Sequence, residues 1–135
     1  MSKISGFALV AIGLFHTLVT LVMPEVIGFG GIWQEIAEVG VVDAVTPESL
    51  RIWGYYWFLI PGFLVILCGL LCHWIEHHLQ HPLPLFLGWG LLAIACFCIV
   101  LDLDTGLWLV LLVAVNAIAS SYRAQQSRQA DDIRT

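Results

Sequence analysis

Four stretches of the chain contain no Asp, Glu, Lys or Arg: residues 4 to 24, 52 to 75, 77 to 101 and 105 to 122. At about 20 residues per crossing, each can span a bilayer core of roughly 30 Å. The pattern predicts an all-α protein built as a four-transmembrane-helix bundle. The first helix should run from about Ile4 to Met23 and stop at Pro24, whose ring and missing N–H oppose continuation. The second has a start signal in Thr46 as N-cap, Pro47 at the first helical position and Glu48 near the positive end of the dipole. It passes through the aromatic run "WGYYWF" and should continue beyond Trp74 into a group of histidines. Pro82 and Pro84 then break the chain, which places the third helix from about Pro84 to Leu101. Asp104 or Thr105 caps a fourth helix reaching about Ser121, followed by a frayed polar tail. The domain reading is therefore 1–122 for the transmembrane bundle and 123–135 for the tail.

The loop between the first two crossings has a pattern of its own. In "GIWQEIAEVG", Ile32, Ile36 and Val39 recur at helical spacing, the polar residues fall elsewhere, and Gly40 is a natural stop. A short amphipathic helix is expected here, lying on the outer interface or folded over the mouth of the bundle.

Composition agrees with the membrane reading and rules out other classes. Of 135 residues, 60% are hydrophobic and 11% charged, against about 25% charged in an ordinary soluble domain. Lys3 before an apolar run looks like a secretory signal, but the run exceeds an h-region of about 7–15 residues and no A-x-A-like cleavage site follows. A permanent helix is expected. Lys3 precedes the first helix and Arg123, Arg128 and Arg134 follow the last, whereas Glu25, Glu35, Glu38, Asp43 and Glu48 in the first loop face only Arg51. The positive-inside rule then puts both termini in the cytoplasm. No basic patch suits nucleic acid.

The densest chemistry is "CHWIEHHLQHP", residues 72 to 82, in which His73, Glu76 and His77 spell H-x-x-E-H. Some metalloproteases place two zinc ligands and a general base in this spacing. Such a site needs a third ligand on the same side of the membrane. The downstream carboxylates Asp102 and Asp104 fall on the opposite face, about 30 Å away, leaving only Asp131 and Asp132, and Pro82 takes His81 out of helical register. No metal site is assigned, and the motif reads as a polar turn at the membrane surface. Cys68, Cys72, Cys96 and Cys98 contain no C-x-x-C pair and fall in opposite halves of the bilayer, so they read as small apolar side chains.

His16 is the most informative single residue. It lies in "AIGLFHTLVT", slightly outward of the bilayer centre, where an imidazole is costly unless paired or solvated. Two readings stand: an interhelical hydrogen bond that fixes packing, with Asn116 as the other polar side chain at membrane depth, or a ligand contact, haem ligand or proton-relay group. Haem held by two histidines of one chain is disfavoured, because the next candidate, His73, is at the opposite end of the membrane. The outer half also collects Tyr55, Tyr56, Trp57, Asp102 and Trp108, with Trp33 above. Such a set lines either a lipophilic ligand site or an interfacial aromatic belt. The ligand-binding set is taken as His16, Tyr56, Trp57, Asp102 and Trp108, with Asn116 as a structural polar contact.

The segments "GLFHTLV", "EVGVVDAV", "YYWFLIPGFLVILCGLL" and "DTGLWLVLL" together resemble a family of small bacterial four-helix membrane proteins known only as a domain of unknown function. The likeness covers nearly everything but the tail. Family members often carry proline and serine before the Gly-x-Trp of the last helix, where this chain has Asp104 and Thr105. The resemblance implies the four-helix fold, a bacterial inner membrane location and His16, Trp57 and Trp108 as family features; it implies no activity or cofactor. The expected function is that of a small polytopic membrane protein binding a lipophilic molecule or lipid in its outer half, or acting in membrane assembly. The alternative is a membrane-embedded redox or isomerase-type enzyme using His16 as acid or base. Expected partners are the lipid bilayer, with a lipophilic ligand and a second copy of the chain as further candidates.

Overall fold

A computed structural model describes residues 4–42, 45, 48–79, 82–103 and 106–132, and within them the chain is helical without strands. The expected caps Thr46, Pro47, Asp104 and Thr105, and also His81, lie outside the described residues. Helix α1 spans Ser5–Val22 and ends before Pro24, which opens a 3-10 turn over Pro24–Ile27. Gly28 and Gly31 take left-handed φ values of 85° and 76°, a conformation that costs side-chain-bearing residues energy. They deliver the chain into the amphipathic helix α2, Ile32–Val39, which stops at Gly40 as the pattern required. Ile32 and Ile36 are buried, but Val39, expected on the same face, is exposed at the last turn.

Helix α3 runs from Leu50 to His78, starting two residues after Glu48 and taking in the histidines. Its 29 residues measure about 44 Å at 1.5 Å per residue. Helix α4 covers Leu85–Leu101, with Pro84 as its N-cap, and α5 covers Trp108–Asp132. The polar tail is therefore helical to Asp132 rather than frayed. Its Ala, Gln and Arg residues have high helix propensity and extend a helix already nucleated by the apolar segment. Among the described residues, α1 and α3 are long and apolar enough to cross a membrane. Helix α4, at 17 residues, rises about 25 Å, and the apolar part of α5 ends at Tyr122.

The chain divides into two compact units, residues 11–66 and residues 1–10 with 67–135. In the first, Ile32, Ile36, Ile52 and Tyr55 form a buried cluster flanked by Phe29 and Tyr56. The Tyr55 hydroxyl, sealed inside, donates to the Thr20 carbonyl at 3.0 Å. Trp33 Nε1 donates to the Leu21 carbonyl at 3.2 Å, and Arg51 pairs with Glu35 and donates to the Gly30 carbonyl. These three contacts tie α2 and the loop before it to the ends of the longer helices.

In the second unit, α4 and α5 pack along their length around Ala95, Ile99, Val110, Ala114 and Ala117. A side chain at Gly88 would come within 2.7 Å of Ile118, so the close approach depends on that glycine. Leu83 lies under the same pair, where the Ser121 hydroxyl donates to its carbonyl at 2.6 Å.

Candidate functional site

The site grows from His16, a partly exposed imidazole in the unit of residues 11–66. Its Nε2 lies 2.9 Å from the Phe58 carbonyl oxygen on α3. A carbonyl only accepts, so Nε2 is the donor nitrogen. The ring also stacks on the Phe58 side chain, with centroids 4.8 Å apart and planes 29° from parallel. The His16 main-chain carbonyl accepts a 2.8 Å bond from Thr20 Oγ1. Position 62 has no room for a side chain beside the ring: a Cβ there would fall 2.8 Å from His16 Cδ2 and would overlap the Thr17 hydroxyl. Gly62 follows Pro61, which has no N–H to give to the Trp57 carbonyl one turn earlier. Thr17 Oγ1 is buried here and has no hydrogen-bond partner among the described residues.

An aromatic series connects this point to α2. Phe58 lies 6.3 Å from Phe29, Phe29 lies 5.5 Å edge-on to Tyr55, and Tyr55 lies 5.6 Å edge-on to Trp33. Of the residues the sequence suggested, Tyr56 is half-buried against the isoleucine cluster, 6.1 Å from Tyr55. Trp57 is exposed and meets Trp53 edge-on at 6.2 Å.

The remaining suggested residues belong to the other unit. Asp102 is the exposed C-cap of α4, its N–H bonded to the Cys98 carbonyl. Trp108 Nε1 donates to the Leu103 carbonyl at 3.1 Å, which ties the start of α5 to the turn before it. Asn116 Nδ2 lies 2.9 Å from Ser5 Oγ, so its polar contact is with the start of α1. Glu76 is 3% exposed, and its Oε2 accepts the Gly6 N–H at 3.1 Å. A carboxylate at the N-terminus of α1 meets both an unpaired N–H and the positive end of the helix dipole. The residue that would be the general base of H-x-x-E-H is thus engaged in fastening one helix to another. His73 and His77 face each other with ring centroids 4.3 Å apart.

Phe58 and the Glu76–Gly6 contact were not readable as site features from the sequence. Gly62 was readable as a point of close helix approach, being a small residue beside the helix distortion at Pro61.

A model of a family of unknown function, DUF6463, matches residues 1–124. The chain belongs to the DUF6463 family. No curated protein and no solved structure matches it. The match takes in every residue of the candidate site in this DUF6463 chain, and it assigns none of them a role. What they can do must come from geometry. Around His16, this DUF6463 protein presents an imidazole held by one nitrogen and one ring face, on a surface otherwise made of apolar and aromatic side chains.

Proposed function

We propose that this protein is a small polytopic protein of the bacterial inner membrane that binds a lipophilic molecule or lipid at the face around His16. In this reading the chain crosses the bilayer four times, with both termini in the cytoplasm and α2 on the outer side. The distribution of side chains supports the membrane part. The most completely buried residues include Ser5, Thr20, Tyr55 and Glu76, whereas Phe7, Phe15, Phe63, Phe86 and Phe97 are all more than half exposed. A water-soluble monomer usually keeps most of its large aromatic side chains inside. Exposed phenylalanines with enclosed hydroxyls and a carboxylate suit a hydrocarbon solvent. The two long apolar helices α1 and α3 support it further.

The observation that carries the binding part is the hydrogen bond from His16 Nε2 to Phe58. It fixes the ring in one orientation while the residue stays partly exposed, which favours a site over a sealed packing contact. Histidines that bind ligands or metals are commonly held in this way through their second nitrogen. Native mass spectrometry of the protein, released gently from its own membranes, tests the reading. A stoichiometric extra mass is expected, lost in His16→Ala while helical content and oligomeric state are retained. A wild-type protein carrying no added mass, or an added mass indifferent to His16→Ala, would overturn it.

A further inference from the structure

The His16 geometry also specifies what kind of molecule would bind, an inference that rests on the binding proposal above. In a neutral imidazole one nitrogen carries the proton and the other a lone pair. With Nε2 committed as donor to the Phe58 carbonyl at 2.9 Å, the lone pair is on Nδ1. No second partner for the ring is present among the described residues. Stacking on Phe58 and the bond from Nε2 hold the ring in this orientation. What His16 offers a ligand is a hydrogen-bond acceptor.

Charge narrows the class further. Residues 11 to 24 and 52 to 66 contain no charged side chain. The cation of this unit, Arg51, is occupied by Glu35 and the Gly30 carbonyl. An anionic headgroup would meet no counter-charge here, and burying it unpaired is expensive. The side chains bordering His16 in the sequence and around Phe58 are apolar and open: Phe15 is 65% exposed, Leu18 59%, Trp57 58% and Phe58 39%. On the membrane reading these surfaces face acyl chains, so a ligand arrives through the lipid and stays in contact with it.

We infer that His16 Nδ1 accepts a hydrogen bond from the hydroxyl of a neutral, membrane-dissolved alcohol or phenol, rather than from water or a charged lipid headgroup. Two sources share this chemistry, a ring-bearing phenol such as a quinol and a glycerolipid alcohol. The exposed edge of Phe58 adds a contact that a ring would use.

The test combines a tautomer measurement with three neutral probes. The protein, with 15N-labelled histidine, is placed in nanodiscs of zwitterionic phosphatidylcholine, and the His16 ring signals are assigned by their loss in His16→Gln. The expected spectrum is a neutral ring protonated at Nε2. An alkyl hydroquinone should shift the Nδ1 resonance saturably, and its dimethyl ether, which has no hydroxyl to donate, should bind at least about tenfold more weakly. Dioleoylglycerol serves as the third probe: a response to it equal to that of the hydroquinone assigns a lipid alcohol, and a weaker one a phenol, both within the inferred class. A ring protonated at Nδ1 or at both nitrogens, or equal binding of hydroquinone and ether, would overturn the inference and leave the binding proposal standing. If no probe binds, native mass spectrometry separates the cases. A bound mass refutes only the ligand class, and an apo mass removes the binding proposal with it.

Discussion

His16 and Gly62 act as a pair, since the absence of a side chain at position 62 is what allows the imidazole to reach the Phe58 carbonyl. Gly62→Ala would put a methyl group 2.8 Å from His16 Cδ2, below any normal carbon contact, in the middle of two helices that cannot part cheaply. Overpacking of this kind costs about 1–3 kcal/mol. The expected result is a lower unfolding midpoint together with a changed His16 ring environment by 15N spectroscopy. An unchanged histidine signal would show that the ring is not supported from that side. Thr17 gives the opposite prediction. Its Oγ1 is buried without a partner, so Thr17→Val removes an unsatisfied polar atom while keeping the shape. Stability should be unchanged or raised by up to about 1 kcal/mol, measured by thermal unfolding in detergent. A clear loss would reveal a partner for the hydroxyl.

At the scale of elements, what could be read from the sequence was whatever local periodicity and chain-breaking residues encode. The end of α1 before Pro24, the stop of α2 at Gly40, the run of α3 into the histidines and the start of α4 at Pro84 all follow from such signals. The partner of a polar side chain does not. His16 bonds a carbonyl 42 residues away, and Glu76 bonds an N–H 70 residues away. No spacing rule reaches across those distances. The five expected ligand residues were gathered by their predicted depth in the bilayer, and depth says nothing of partners: Trp108 donates its N–H to the local turn and Tyr56 packs against the isoleucine cluster.

The Glu76 contact makes its own prediction about elements. Glu76→Ala leaves the buried Gly6 N–H unpaired and removes the negative charge from the α1 N-terminus, at a cost of about 1–3 kcal/mol. Glu76→Gln keeps an acceptor oxygen and should lose less. Hydrogen exchange localises the effect: the first turn of α1 should exchange faster in Glu76→Ala than in Glu76→Gln. Equal exchange in both variants would mean that the carboxylate does not fasten that helix.

At the scale of the whole molecule, the open step is from two helices long and apolar enough to cross a membrane to the proposed four crossings. Helix α4 is a few ångströms shorter than a hydrocarbon core of about 30 Å, and the apolar part of α5 from Trp108 to Tyr122 is of similar length. Bilayers thin around short helices at a cost of only fractions of a kcal/mol per Å, so neither length forbids a crossing. Charge placement decides what four crossings would look like. Lys3, Arg123, Arg128 and Arg134 flank the chain ends, and the acidic residues gather between α1 and α3. The proposed topology therefore makes a sided prediction. A single cysteine placed at Val42, in a background without Cys68, Cys72, Cys96 and Cys98, should react with a membrane-impermeant maleimide in intact cells. Single cysteines at Leu79 and at Gln129 should react only after the membrane is opened. If the protein crosses only through α1 and α3, Val42 and Leu79 still fall on opposite sides, so Val100 is the discriminating position. Reaction of a cysteine at Val100 from outside, with Leu79 and Gln129 protected, requires crossings by α4 and α5. Protection of Val100 along with Leu79 and Gln129 would reduce the membrane-spanning part to two helices and leave α4 and α5 on the cytoplasmic side.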